Sequence, residues 1–182
     1  MLDLLSLGNL NALVLDLNAG PIGPRRGEEQ QLHLCPAIAL LPTLRTLHVR
    51  MHLICPDILK VLDSDDNLRL NTVVINMGLR FNVSGVIRAL NSRRCPGGEE
   101  NILHLKADMQ EQAKVLASRM SSLNNVRILT SKPSTGETLS LNILTGKTTI
   151  LSDDQPWEDA APPRRIQSLE NHEYVTPFYK WE

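Results

Sequence analysis

The sequence predicts an α/β protein: a curved parallel sheet of stacked strand–helix units, with the helices on the outer face and a β-hairpin closing the end. Three observations predict it. A short apolar pattern recurs along the chain. The stretches between its copies carry helix signals. Aromatic residues are only 3% of the chain against 42% hydrophobic residues, so the core must be built from Leu, Ile and Val, which suits repeated small units.

The recurring pattern is Leu, two residues, an apolar residue, one residue, an apolar residue. It occurs at Leu10/Leu13/Leu15, Leu44/Leu47/Val49, Leu70/Val73/Ile75 and Leu123/Val126/Ile128. A weaker copy lies at Leu103/Leu105, where Glu100 takes the leading place. The steps are 34 residues from Leu13 to Leu47, 26 from Leu47 to Val73, 30 from Val73 to Leu103 and 23 from Leu103 to Val126. Alternate residues of a strand face the same side. Leu47 and Val49 therefore point into a core, and His48 and Arg50 point away from it. The leading Leu enters the same core from the turn. One such unit cannot bury its apolar face alone, and stacking makes the core continuous.

Between the copies the chain should return through helices. Residues 56–62 open with Pro56, tolerated in a first helical turn. Residues 84–90 open with Ser84, a plausible N-cap. Residues 108–121 begin with Asp108 and place Ala113, Leu116, Ala117 and Met120 at helical spacing. The first connector, 20–27, is a Gly/Pro loop that accounts for the long first step. A helix is expected to follow it from Glu28, limited by Pro36. Segments 138–144 and 148–151 alternate around Thr145-Gly146-Lys147, which predicts a hairpin that caps the sheet. Residues 1–151 are thus read as the repeat domain with its hairpin cap. Residues 152–182 form an acidic, Pro-containing tail, ordered in part at most. Two readings of the tail stay open: a loosely ordered segment, or one in which Trp157, Phe178 or Trp181 docks back on the repeats.

Net charge is −1, which gives no global attraction to nucleic acid or acidic membranes. No apolar run approaches the ~20 residues of a membrane span. The start has no basic segment of the signal-peptide kind. Three cysteines without close pairs argue against a disulfide framework and for a reducing compartment. An intracellular location, cytoplasmic or nuclear, is expected, with no membrane and no nucleic-acid partner.

No catalytic set emerges, so no enzyme activity and no cofactor are expected. Thr145-Gly146-Lys147-Thr148 resembles the end of a phosphate-binding loop, but the required earlier Gly position holds Leu141. A nucleotide-binding α/β protein using Gly146, Lys147 and Thr148 is the alternative reading. His48, His52 and Cys55 lie close in sequence, with His33 and Cys35 before them. Zinc accepts these ligand types, yet the spacing is not a paired-ligand pattern, and no metal site is expected. Asp63, Asp65 and Asp66 read as a solvated loop.

The outward residues of successive strands should form one face. The positions between the core apolars hold Val14, His48, Val74, His104 and Arg127. The positions after them hold Asp16, Arg50, Asn76, Lys106 and Leu129. A candidate partner-binding face therefore comprises Asp16, His48, Arg50, Asn76, His104, Lys106 and Arg127, with Arg50, Lys106 and Arg127 as a basic stripe for an acidic peptide or protein patch.

The segments Leu41-Pro42-Thr43-Leu44-Arg45-Thr46-Leu47-His48-Val49 and Leu10-Asn11-Ala12-Leu13-Val14-Leu15 resemble leucine-rich repeats, which recur every ~20–29 residues. Asn18 falls where such repeats often carry Asn; the other copies have His52, Gly78, Asp108 and Ser131 there. The irregular lengths are similar to the divergent repeats of fungal F-box proteins. That resemblance spans roughly residues 5–151 and implies a region that holds a substrate for a ubiquitin ligase. The first repeat begins almost at Met1, so no F-box and no ligase-scaffold partner are expected.

Overall fold

The computed structural model describes residues 10–17, 33–41, 43–60, 70–83, 86–95, 101–120, 122–132, 134–151 and 157. In chain order these form β1 (Ala12–Leu17), α1 (Cys35–Ala39), β2 (Thr46–Met51), β3 (Leu53–Ile54), a 3-10 turn (Pro56–Leu59), β4 (Thr72–Asn76), β5 (Gly78–Val83), β6 (Val86–Asn91), β7 (Arg93–Arg94), α2 (Ile102–Arg119), β8 (Asn125–Ser131), β9 (Thr138–Asn142) and β10 (Thr148–Leu151). The fold is α/β, with a mixed, mostly parallel sheet and few helices.

The sheet runs β1-β2-β4-β8-β9-β10 among the described residues. Its first four strands are parallel and in the register that the apolar pattern predicts. Leu13, Leu47, Val73 and Val126 stand side by side, as do Val14, His48, Val74 and Arg127. The strand entries repeat one another down to their hydrogen bonds. The Asn11 carbonyl accepts from the amides of Arg45 and Thr46, that of Arg45 from Asn71 and Thr72, and that of Asn71 from Asn124 and Asn125. A hydroxyl just ahead of the leading Leu ties back to an earlier leading Leu: Thr43 Oγ1 to the Leu10 carbonyl and Ser122 Oγ to that of Leu70, each at 2.9 Å. The four pattern-bearing segments are therefore equivalent neighbours.

Strand alternation divides the side chains between two faces. Leu47, Val49, Met51, Val73, Ile75, Val126 and Ile128 join the main core, where they meet Ile38 of α1 and Leu105, Met109, Ala113 and Leu116 of α2. Val74, Leu129 and Leu151 lie in a separate cluster on the other face with Trp157. The predicted hairpin forms: β10 pairs antiparallel with β9, and β9 pairs antiparallel with β8, extending the sheet beyond its parallel part.

Four expectations are corrected. The weak copy at Leu103/Leu105 is helical, because Asn101 Oδ1 accepts the Leu103 amide at 2.9 Å and caps α2. The cap starts the helix at Ile102, six residues before Asp108. Leu105, Met109, Ala113 and Leu116 then recur at three and four residues on one buried stripe. Residues 86–90, expected in a helix, form a strand: β5 and β6 pair antiparallel from Gly78↔Asn91 to Val83↔Val86. Pro56 opens only a single 3-10 turn. Pro36 stands in the first turn of α1 and opens that helix instead of limiting one, consistent with the tolerance of Pro where amides have no helical acceptor. The loop at 20–27, the stretch from Glu28, the acidic group at Asp63, Asp65 and Asp66, and the tail apart from Trp157 lie outside the described residues.

The β5–β6 hairpin is fastened to the ends of the parallel strands. Asn91 Nδ2 donates to the Ser131 carbonyl at 3.0 Å, and the Ser131 amide donates to Asn91 Oδ1 at 2.8 Å. Buried Ser92 Oγ donates at 2.6 Å to the Met51 carbonyl and contacts that of Met77 at 3.2 Å. Gly78 permits this approach, because a Cβ there would stand 2.6 Å from Ser131 Oγ and 3.0 Å from its amide nitrogen.

Candidate functional site

Among the described residues, two constellations carry chemistry: the strand face opposite the helices, and a cysteine–histidine cluster on the helical side.

On the strand face, register sets Asp16 of β1 beside Arg50 of β2. Arg50 Nε donates to Asp16 Oδ1 at 2.8 Å, and Nη2 pairs with Oδ2, a bidentate bridge. The same guanidinium lies over the ring of Trp157, 5.1 Å from its centroid. His48 approaches that ring in a tilted geometry, with centroids 6.4 Å apart. Arg127 Nη2 donates to the Trp157 carbonyl at 3.3 Å. Trp157 packs with Val74, Leu129 and Leu151 and is only 8% exposed.

Of residues 152–182 the structure describes Trp157 alone, and it packs on the sheet face. Its arrival changes the expected face. His48, Asn76 and Arg127 point to the expected side but are buried. Asn76 Oδ1 accepts the Gly78 amide at 2.9 Å and serves the chain turn after β4. His104 and Lys106 are corrected: both belong to α2, so neither joins the sheet face. Burial lowers the Lys106 pKa. The expected basic stripe reduces to Arg50, held between Asp16 and Trp157, and the buried Arg127. Thr145-Gly146-Lys147 is an exposed hairpin turn. Gly146 has φ +69°, and Asn142 Oδ1 accepts the amides of Leu144 and Thr145 at 2.9 and 3.1 Å. A strand follows the turn, where a phosphate-binding loop requires a helix.

On the other side, the chain brings together four ligand-type residues, and for three of them, His33, Cys35 and Cys55, the sequence spacing argued against convergence. One ligand atom from each of His33, Cys35, Cys55 and Cys95 lies within 4.8 Å of all the others. His33 precedes α1 and Cys35 is its first residue. The short parallel pair β3–β7 sets Leu53 beside Arg93 and Ile54 beside Arg94. One further step brings Cys55 alongside Cys95, whose amide donates to the Ile54 carbonyl at 3.3 Å. Cys35 is fully buried, Cys55 and Cys95 are buried, and His33 is exposed. His33 Nε2 lies 3.0 Å from Cys55 Sγ, and Cys35 Sγ lies 3.7 Å from Cys95 Sγ.

The sulfur atoms influence each other strongly. Cys55 is by far the most acidic thiol: hydrogen bonds from Cys35, Cys95, His33 and the Asp57 amide outweigh its burial. Cys35 is raised, first through its hydrogen bond to Cys55. Cys95 is pushed up to about 12; its hydrogen bond with Cys35 lowers it, but the bond to Cys55, burial and the nearby Cys55 and Asp57 charges prevail. The expectation of no converging ligands is thereby corrected for His33, Cys35 and Cys55, while His48 lies on the opposite face. Cys95 was missed because it is 40 residues beyond Cys55. The available signal was that each cysteine falls in a different connection between the pattern-bearing strands.

Comparison with protein-family profiles, with curated proteins and with solved structures gives no match. Among the described residues, no helix is long and apolar enough to cross a membrane.

Proposed function

We propose that the chain is a protein-interaction module of leucine-rich-repeat-like architecture, whose strand face holds an aromatic-bearing segment of a partner. Equivalent strand entries and the in-register rows of β1, β2, β4 and β8 support the repeat reading. The observation that carries the binding reading is Trp157. Its side chain occupies an apolar patch of Val74, Leu129 and Leu151, its ring lies against Arg50, and its main-chain carbonyl meets Arg127. These are complementary requirements for an extended segment with a Trp anchor. The chain's own sequence around that anchor, Asp153-Asp154-Gln155-Pro156-Trp157-Glu158-Asp159, is acidic, which suits a face that carries Arg50 and Arg127. In this reading the chain's own tail occupies the site until a partner segment displaces it. Within an F-box-type adaptor, the role implied by the resemblance, that segment would belong to the substrate.

A labelled peptide spanning residues 152–160 tests the reading. It should bind the Trp157→Ala protein at least tenfold more tightly than the unaltered chain, and Arg50→Glu added to Trp157→Ala should abolish binding. Failure of the peptide to bind Trp157→Ala, or binding indifferent to Arg50→Glu, would remove the strand face as a recognition site.

A further inference from the structure

We propose that His33, Cys35, Cys55 and Cys95 form a structural zinc site that clamps three connections of the repeat stack together. The site lies on the helical side, so it stands independently of the strand-face reading.

The donor set is the first argument. Three thiolates and one imidazole are an established closed set for tetrahedral zinc. Four protein ligands leave no coordination position for water or substrate, which makes the site structural.

Distance is the second argument. Zinc–sulfur bonds of ~2.3 Å at a tetrahedral angle set two sulfur atoms about 3.8 Å apart. Cys35 Sγ and Cys95 Sγ lie 3.7 Å apart. A disulfide would need ~2.05 Å, so the two sulfurs sit at a shared-metal separation and well outside bonding distance. With a zinc–nitrogen bond of ~2.0 Å, nitrogen and sulfur stand about 3.5 Å apart. His33 Nε2 to Cys55 Sγ is 3.0 Å, and the exposed His33 side chain has room to move outward. No pair of donor atoms exceeds 4.8 Å, so adjustments of about an ångström complete the tetrahedron.

The surroundings are the third argument. Backbone amides face the sulfur atoms: that of Cys55 faces Cys35 Sγ, and that of Asp57 faces Cys55 Sγ. Such outer contacts orient and hold metal-bound sulfur. The ligands also come from distant points. His33 and Cys35 lie between β1 and β2, Cys55 lies between β2 and β4, and Cys95 lies between β4 and α2. One ion thus joins three successive connections. Binding displaces the remaining thiol protons to solvent while the sulfurs coordinate the metal, with no change of oxidation state.

The test uses the full chain, purified without a polyhistidine tag and without chelator. Elemental analysis should find close to one zinc per chain. After zinc is removed, one equivalent of Co²⁺ should give tetrahedral ligand-field bands together with thiolate-to-cobalt charge transfer. His33→Ala alters only the exposed ligand and should keep its far-ultraviolet circular dichroism. Its zinc affinity, measured by competition with a chromogenic chelator, should fall at least tenfold, and its cobalt spectrum should change. The proposal is overturned if reduced chain takes up neither ion, if cobalt gives only an octahedral spectrum, if His33→Ala leaves affinity and spectrum unchanged, or if the purified chain carries a Cys35–Cys95 disulfide.

Discussion

The sulfur atoms of Cys35 and Cys95, sixty residues apart in the chain, stand 3.7 Å from each other. The pairing of β3 with β7 brings Cys95 to Cys55, and α1 brings Cys35 to both. Chelation should therefore destabilise the fold. With free zinc at ~1,000 times its Kd, binding stabilises by about 4 kcal/mol. Each kcal/mol moves Tm by about 2–4 °C at this size. Scanning calorimetry should find Tm lowered by about 10 °C in excess chelator and restored by zinc. At a tenfold weaker affinity the same zinc stabilises by about 2.7 kcal/mol, so the response in His33→Ala should be smaller by about a third or more.

Trp157 fills the strand face opposite the main core, and its removal leaves Val74, Leu129 and Leu151 uncovered. Trp157→Ala is expected to cost about 3 kcal/mol in urea unfolding, near the lower end for buried aromatic truncation. The other tryptophan, Trp181, lies outside the described residues. In a Trp181→Phe background, Trp157 emission should be blue-shifted, as for a ring removed from water. A water-like emission maximum there would contradict the docking.

Arg50 links two partners by different chemistry: a forked ion pair to Asp16 and a cation–π contact to Trp157. Exposed cross-strand pairs contribute ~0.2–1 kcal/mol, and partly desolvated cation–π contacts up to ~2 kcal/mol. Arg50→Gln should cost about 1–2 kcal/mol. Arg50→Lys should recover only part of this, because an ammonium cannot supply the planar fork. In a double-mutant cycle with Trp157→Ala, the two losses should be non-additive; strict additivity would show that the residues do not interact.

Asn101 decides the start of α2. Asn101→Ala removes the acceptor for the Leu103 amide and should cost about 1 kcal/mol, whereas Asn101→Asp should be close to neutral. Hydrogen exchange in the first turn of α2 should accelerate in the Ala variant alone.

Gly78→Ala would press a methyl group against Ser131 Oγ, the Ser131 amide and Asn76 Oδ1. The expected cost is about 1–3 kcal/mol. Adding Ser131→Ala should return part of it, since one of the three contacts belongs to that side chain. Gly146→Ala meets no neighbour, but its positive φ carries a cost of about 1–2 kcal/mol. Chemical denaturation should therefore register both substitutions, with relief by Ser131→Ala confined to the first.

Four parallel strands and their register were legible in the sequence, together with the closing hairpin. A two-residue period and a leading Leu fix which side chains share a face, and one residue of slippage would expose every core position. Leu103-His104-Leu105 fits both a strand alternation and the start of a helical stripe. Only the Asn101 cap and the contact of Leu105, Met109, Ala113 and Leu116 with the sheet select the helix. Around Ser84-Gly85, an N-cap and a hairpin connection use the same residue types, and pairing of the flanking segments selects the hairpin.

What the sequence determined by itself was the local periodicity of the strands, because alternation is a property of neighbouring residues. What only the tertiary structure decided was which distant side chains meet: Trp157 on the strand face, and Cys95 with His33, Cys35 and Cys55. Those meetings depend on how connections of different lengths return across the sheet. Burial of the shared apolar core sets those paths, and no local pattern encodes them.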